Sequence, residues 1–90
     1  MKVTFVTGTF DVDAKYESPN FFVVPNEKLG KCSRKYSIFF KGNTSAPMVT
    51  FVKTIKDAKE AISYFESHLM FDLSLENLRI VYDQYYGLTR

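Results

Sequence analysis

The sequence predicts an α+β fold: a four- to five-stranded, mostly antiparallel sheet with one amphipathic helix, over about residues 55–69, packed on one face. Three observations predict it. Nine Phe and six Tyr but no Trp supply much of the apolar area as flat rings, which suit sheets and interfaces. Several segments of the first half alternate apolar and polar residues between Gly, Pro and Asn punctuation, the signature of strands and turns. A single segment carries a clean helical period. Ninety residues, 46% apolar and 24% charged, make one domain spanning 1–90, with a single core and much wetted surface.

Val3 and Phe5 put apolar residues on odd positions. Phe10, Val12, Ala14 and Tyr16 put them on even ones, with Asp11, Asp13, Lys15 and Glu17 on the opposite face. A period of two cannot change parity without an irregularity, and Thr7-Gly8-Thr9 supplies it. Gly8 reads as a bulge in one long strand in preference to a hairpin corner, since Thr-Gly is a weaker two-residue turn than Asn-Gly or Asp-Gly. Ser18-Pro19-Asn20 signals a turn, after which Phe21-Phe22-Val23-Val24 is a short strand closed by Pro25, which cannot donate a ladder hydrogen bond. A polar loop over 26–34 follows. Tyr36, Ile38 and Phe40 then alternate with Lys35, Ser37, Phe39 and Lys41, giving a strand with a clean inner face. Past a turn at 42–47, Met48 to Lys53 completes a hairpin with it.

In residues 55–69, Ile55, Ala58, Ile62, Phe65 and Leu69 fall within about an 80° arc of a helix. Thr54 is placed to cap the first turn, and Asp57 three residues later gives an aspartate version of the capping box. The tail fits two patterns. Leu75, Leu78, Tyr82 and Tyr85 suit a helix capped by Ser74, whereas Leu78, Ile80 and Tyr82 alternate with Arg79, Val81 and Asp83 as in a strand. The β-propensity of Ile-Val-Tyr and of Tyr85-Tyr86 favours the strand.

A formal net charge of +2 hides an uneven distribution: residues 28–56 hold seven cations and no anion, between two acidic ends. Such asymmetry steers an anionic partner onto one face. The expectation is a small non-enzymatic binding protein whose basic, aromatic-bearing sheet surface contacts nucleic acid or a nucleic-acid-handling protein. Lys28, Lys31, Arg34, Lys35, Lys41, Lys53 and Lys56 would pair with phosphates or carboxylates, and Phe39 with Tyr36 would form a stacking platform. The plainer reading of the same strand is an edge strand whose lysines discourage edge-to-edge pairing. No RNP-like, helix-turn-helix or zinc-finger pattern accompanies the basic run.

The competing expectation is a protein-binding inhibitor or adaptor, of the kind phages and mobile elements encode, that occludes a surface of a larger enzyme. Asp11, Asp13 and Glu17 with Tyr85 and Tyr86 would form its interface. One helix covers only one sheet face, so Phe21, Phe22, Phe39, Phe40, Tyr82, Tyr85 and Tyr86 cannot all lie beneath it. The surplus is expected to be exposed, or paired with a partner or in a homodimer.

Signals for chemistry are sparse. His68, the one histidine, would need Glu66 or a Tyr beside it to serve as a general base in a small ribonuclease, and its place near a helix C-terminus is already explained by the dipole. Cys32, the one cysteine, excludes an internal disulfide and sits between Lys31 and Arg34 as a loop residue. Alternate strand residues lie about 7 Å apart, too wide for Asp11, Asp13 and Glu17 to share one ion. No enzyme activity, metal or small-molecule cofactor is therefore expected. The N-terminal stretch reads as neither signal segment nor membrane span, which makes the cytoplasm the expected compartment.

Overall fold

A computed structural model describes residues 1–5, 8–25, 36–42 and 47–88. The chain runs β1 (Lys2–Phe5), β2 (Gly8–Asp11), β3 (Tyr16–Glu17), β4 (Phe21–Pro25), β5 (Tyr36–Phe40), β6 (Met48–Val52), α1 (Ile55–Leu69) and α2 (Leu75–Leu88). Strands β3-β4-β5-β6, in that order, form a four-stranded antiparallel sheet, and β1-β2 form a second, two-stranded one. The class is α+β as expected, but with two sheets and two helices where one of each was predicted.

Helix α1 has the predicted bounds. The Thr54 hydroxyl accepts the Asp57 N–H at 3.0 Å, and Ala58, Ala61, Ile62, Phe65 and Leu69 are buried. The expected strand at 75–86 is instead α2. Its N-terminus is built by Ser74, whose hydroxyl accepts the Asn77 N–H at 3.2 Å and whose carbonyl accepts the Leu78 N–H at 3.0 Å. Leu78 and Val81 are buried and Tyr82 and Tyr85 pack on the same core, a helical spacing, while Ile80 faces water. Packing of that stripe against α1 outweighs the β-propensity of Ile-Val-Tyr.

The irregularity at Gly8 is a hairpin, not a bulge. Phe5 pairs with Gly8 and Lys2 with Asp11, so the chain reverses between β1 and β2, and Gly8 has φ +141°, a conformation that L side chains rarely adopt. The long strand predicted to reach Tyr16 stops at Asp11. Past it, the Lys15 N–H bonds the Val23 carbonyl at 2.8 Å and β3 joins the larger sheet.

In that sheet Phe21 faces Phe40, Phe22 faces Phe39 and Val23 faces Ile38. The predicted β5-β6 hairpin forms, with a register shift at Ile38/Phe39. Strand alternation then sorts the rings. Phe21, Val23, Ile38, Phe40 and Val52 point to the helices, where Phe21 lies 5.3 Å from Phe40 and 5.6 Å from Phe65 between ring centroids. Phe22, Val24 and Phe39 point the other way, under the β1-β2 hairpin, in a smaller cluster with buried Val3 and Ala14. The ring surplus read from the sequence is thereby corrected: the second face has its own cover.

One contact ties the turn before β4 to α1. The Glu66 carboxylate accepts the Asn20 backbone N–H at 3.0 Å and its side-chain amide at 2.6 Å. Glu66 thus has a structural task and is not the partner of His68.

Candidate protein-binding surface

Of the predicted basic surface, Lys28, Lys31, Arg34 and Lys35 lie outside the described residues, as does Cys32. The remaining members do not assemble a platform. Phe39 stacks on Phe22 at 5.1 Å with an interplanar angle of 13°, at the margin of the hairpin-covered cluster, and half-buried Tyr36 packs against the main core. Lys41 was expected to flank an exposed ring, yet its side chain is only 8% exposed and its ammonium pairs with Glu17. Burial of that ammonium is sustained by the carboxylate beside it, which leaves it unavailable to a phosphate. Lys53 and Lys56 are exposed, just before and within the first turn of α1.

The predicted acidic interface is also divided. Asp11 lies 3.3 Å from the N-terminal ammonium, Asp13 lies 3.8 Å from Lys15, and Glu17 is held by Lys41. Tyr85 and Tyr86 sit across the sheet from them, on the helix side, within a cluster in which Tyr85 lies 5.0 Å from Tyr64 and Tyr86 lies 4.7 Å from Tyr82. Burial raises both phenols above the ordinary tyrosine value; Glu60 and Asp57 add to the shift at Tyr85, while a hydrogen bond with Thr50 opposes it at Tyr86. His68 stacks on Tyr64 at 4.0 Å, and its Nδ1 lies 2.8 Å from the Tyr64 carbonyl and 3.1 Å from the Ser67 hydroxyl. These are contacts of a helix end.

A different surface emerges where α1 passes into α2. Leu69 turns inward and is buried, but Met70, Phe71, Leu73 and Leu75 face water, Phe71 with 94% of its area exposed. Local bonds fix the path of this connection. The Asp72 N–H bonds the Leu69 carbonyl at 3.1 Å, the Asp72 carboxylate accepts the Ser74 N–H at 3.0 Å, and the Asn77 amide reaches the Asp72 carbonyl at 2.9 Å. The connection is consequently tied down with its apolar side chains outward.

Two concavities flank it. Leu73 borders one of about 340 Å³ with Phe5, Asn20, Lys41 and Gly42. A Cβ at Gly42 would run into the Phe40 ring, so the close approach requires glycine there. Leu75 borders the other, of about 220 Å³, with Met48, Val49, Leu78, Arg79 and Tyr82. Exposed apolar side chains of the connection therefore border both concavities, Leu73 the first and Leu75 the second, and exposed Met48 lines the second as well. The signal was present in Leu69-Met70-Phe71-Asp72-Leu73: a helical stripe ending at Leu69 leaves the next apolar residues without a core position.

Among the described residues no group of His, Cys, Asp and Glu is arranged to hold a metal ion, and no helix is long and apolar enough to cross a membrane. No protein-family model, curated protein or solved structure matches the chain.

Proposed function

We propose that the chain is a binding protein that engages another protein through the apolar end formed by Met48, Met70, Phe71, Leu73 and Leu75, in the manner of an inhibitor or adaptor that occludes a partner's surface. The observation that carries this reading is the exposure of Phe71, with Met70, Leu73 and Leu75 exposed near it, on a connection fixed by hydrogen bonds. Clustered exposed apolar side chains at a shaped surface mark interaction sites, and an aromatic anchor entering a partner's pocket gains about 1.5 to 3 kcal/mol from burial alone. The nucleic-acid reading has less support among the described residues, where Phe39 and Lys41 are committed to internal partners.

The test pairs two measurements on purified protein. Affinity capture compares the wild type with Phe71→Asp/Leu73→Asp, both at exposed positions, with an unchanged circular dichroism spectrum expected for the variant. A stoichiometric protein partner is expected with the wild type and lost in the double variant. Anisotropy titration against single-stranded RNA, single-stranded DNA and duplex DNA at two salt concentrations is expected to show no binding. Salt-sensitive binding that survives Phe71→Asp/Leu73→Asp and weakens in Lys53→Glu/Lys56→Glu would sink the proposal and return the basic stretch 28–56 to the centre.

A further inference from the structure

Taking the same apolar end beyond the protein-partner reading, we infer that a second copy of the chain covers it when no other partner does. Phe71 of each copy enters the groove beside Leu75 of the other, and Asp72 of each pairs with Arg79 of the other, about a two-fold axis.

The chain carries both halves of such a contact. One half is a knob. Phe71 is almost fully exposed with exposed Met70 before it, and the carboxylate of Asp72 follows directly in the chain. Asp72 Oδ1 accepts the Ser74 N–H at 3.0 Å, and the carboxylate forms no ion pair among the described residues. A carboxylate offers about four acceptor sites, which leaves capacity for a guanidinium. The other half is a socket. The groove of about 220 Å³ is walled by Met48, Val49, Leu75, Leu78 and Tyr82, and Arg79 is the one charged residue lining it. An apolar cavity of about 150 Å³ holds a benzene molecule, so a phenyl ring fits the groove. Arg79 is exposed and forms no ion pair among the described residues, although Glu76 and Asp83 lie one turn to either side of it on α2.

An aromatic ring followed by a carboxylate therefore matches an apolar groove rimmed by a cation, and both belong to one sequence. Phe71 does not fill the groove of its own copy, as its exposure shows. Knob and socket adjoin through Leu73 and Leu75, so a two-fold axis beside Leu75 brings each knob to the other socket and closes the contact at two copies. The concavity beside Leu73 is the poorer socket. Thr4 and Asn20 line it with polar groups, and its cation, Lys41, is already paired with Glu17. An aromatic anchor of about 200 Å² per copy is small beside the roughly 1,600 Å² of a standard interface, so the dimer is weak and gives way to a tighter partner.

Sedimentation equilibrium of the full chain tests this, in reducing buffer so that Cys32 cannot link the copies. A monomer–dimer equilibrium with a dissociation constant on the order of 100 µM is expected. Phe71→Ala, Arg79→Asp and Asp72→Arg should each weaken association about tenfold or more. Asp72→Asn, which keeps an oxygen acceptor for the Ser74 N–H, should weaken it too. At concentrations where the wild type is monomeric, melting temperatures of Phe71→Ala, Arg79→Asp and Asp72→Asn should match it, which separates a lost contact from a lost fold. Mixing Arg79→Asp with Asp72→Arg sets opposite charges together at both contacts of the heterodimer, so association should return in the mixture. Isotope-filtered NOEs between labelled and unlabelled copies should join the Phe71 ring to the Met48 methyl. A monomer at concentrations of about 1 mM, a dimer indifferent to Phe71→Ala, or a charge-swapped mixture that stays apart overturns the inference and leaves the protein-partner reading standing. A dimer with the expected dependence on Phe71 and Arg79, from which no other protein is captured, sustains the inference and overturns that reading instead.

Discussion

The two faces of the four-stranded sheet are closed by different means. On one, two helices bury Phe21, Phe40, Phe65, Ile38, Ile62 and Leu69 completely, in a cluster that spans five elements of the chain. On the other, a single hairpin covers Phe22, with Val3 and Ala14 the other buried members among the described residues and Phe5, Val12, Val24 and Phe39 at the margin. The difference teaches how a ninety-residue chain shelters Phe rings on both sheet faces: the helix side supplies most of the burial, and the hairpin conceals Phe22, which the helices cannot reach.

Truncation on each face tests that division most strongly. Phe65→Ala should destabilise the protein by about 4 kcal/mol, and Phe22→Ala by about 3 kcal/mol, read as midpoint shifts in urea unfolding. Phe22→Ala should additionally open residues 1–15 to protease before the remainder unfolds. Equal losses with no selective cleavage would break the distinction between the faces.

Next in size is the ion pair at the hairpin side. Glu17→Gln leaves the Lys41 ammonium nearly buried without its counterion. Removing one partner of a fully closed pair costs about 3 to 5 kcal/mol, and the 25% exposure of the Glu17 side chain reduces the expectation to about 2 kcal/mol. Adding Lys41→Met should recover most of the loss. A double variant as unstable as the single one would show that the pair stabilises the face by more than it costs to desolvate.

Ser74→Ala probes the helix side more gently. Loss of the N-cap should cost about 1 kcal/mol and fray the start of α2 in amide exchange, without affecting the hairpin. Smallest is the alkaline limb. Burial favours the protonated Tyr86 phenol in the fold, so above the ordinary tyrosine value the unfolded chain holds fewer protons than the native one. The corresponding stability is complete below pH of about 10 and falls as pH rises through the raised native value. Tyr86→Phe should flatten that decline in a pH series of thermal melts.

Legibility in the sequence followed how many signals agreed. For α1 the apolar period, the Thr54 cap and the acidic first turn coincided, and its bounds were readable in full. For α2 they conflicted: the Ser74 cap and the spacing of Leu78, Tyr82 and Tyr85 indicated a helix, while Ile80-Val81-Tyr82 indicated a strand, and only packing against α1 decides between them. The parity change at Gly8 was visible, but a bulge and a hairpin change parity alike. Phe39 was correctly assigned to the sheet face away from α1. Its neighbour across that face, Phe22, and the hairpin above them come from chain segments whose approach no local pattern encodes. The same holds for Lys41, whose partner Glu17 is 24 positions away. Exposed Met70 and Phe71 are legible as apolar residues beyond the end of the α1 stripe.

The strand order β3-β4-β5-β6 follows the order of the chain, and β1-β2 and α1-α2 are likewise sequence neighbours. Every strand pairing can therefore form without waiting for a distant segment to arrive, which keeps the entropy of loop closure low at each step. Folding speed tracks that locality, so a folding rate at the fast end of mixed α/β domains is the expected outcome of stopped-flow refolding. What joins the three local pieces, hairpin, meander and helix pair, is a small set of long-range contacts: Phe5 on Phe22, Phe65 on Phe21 and the clasp of Glu66 on Asn20.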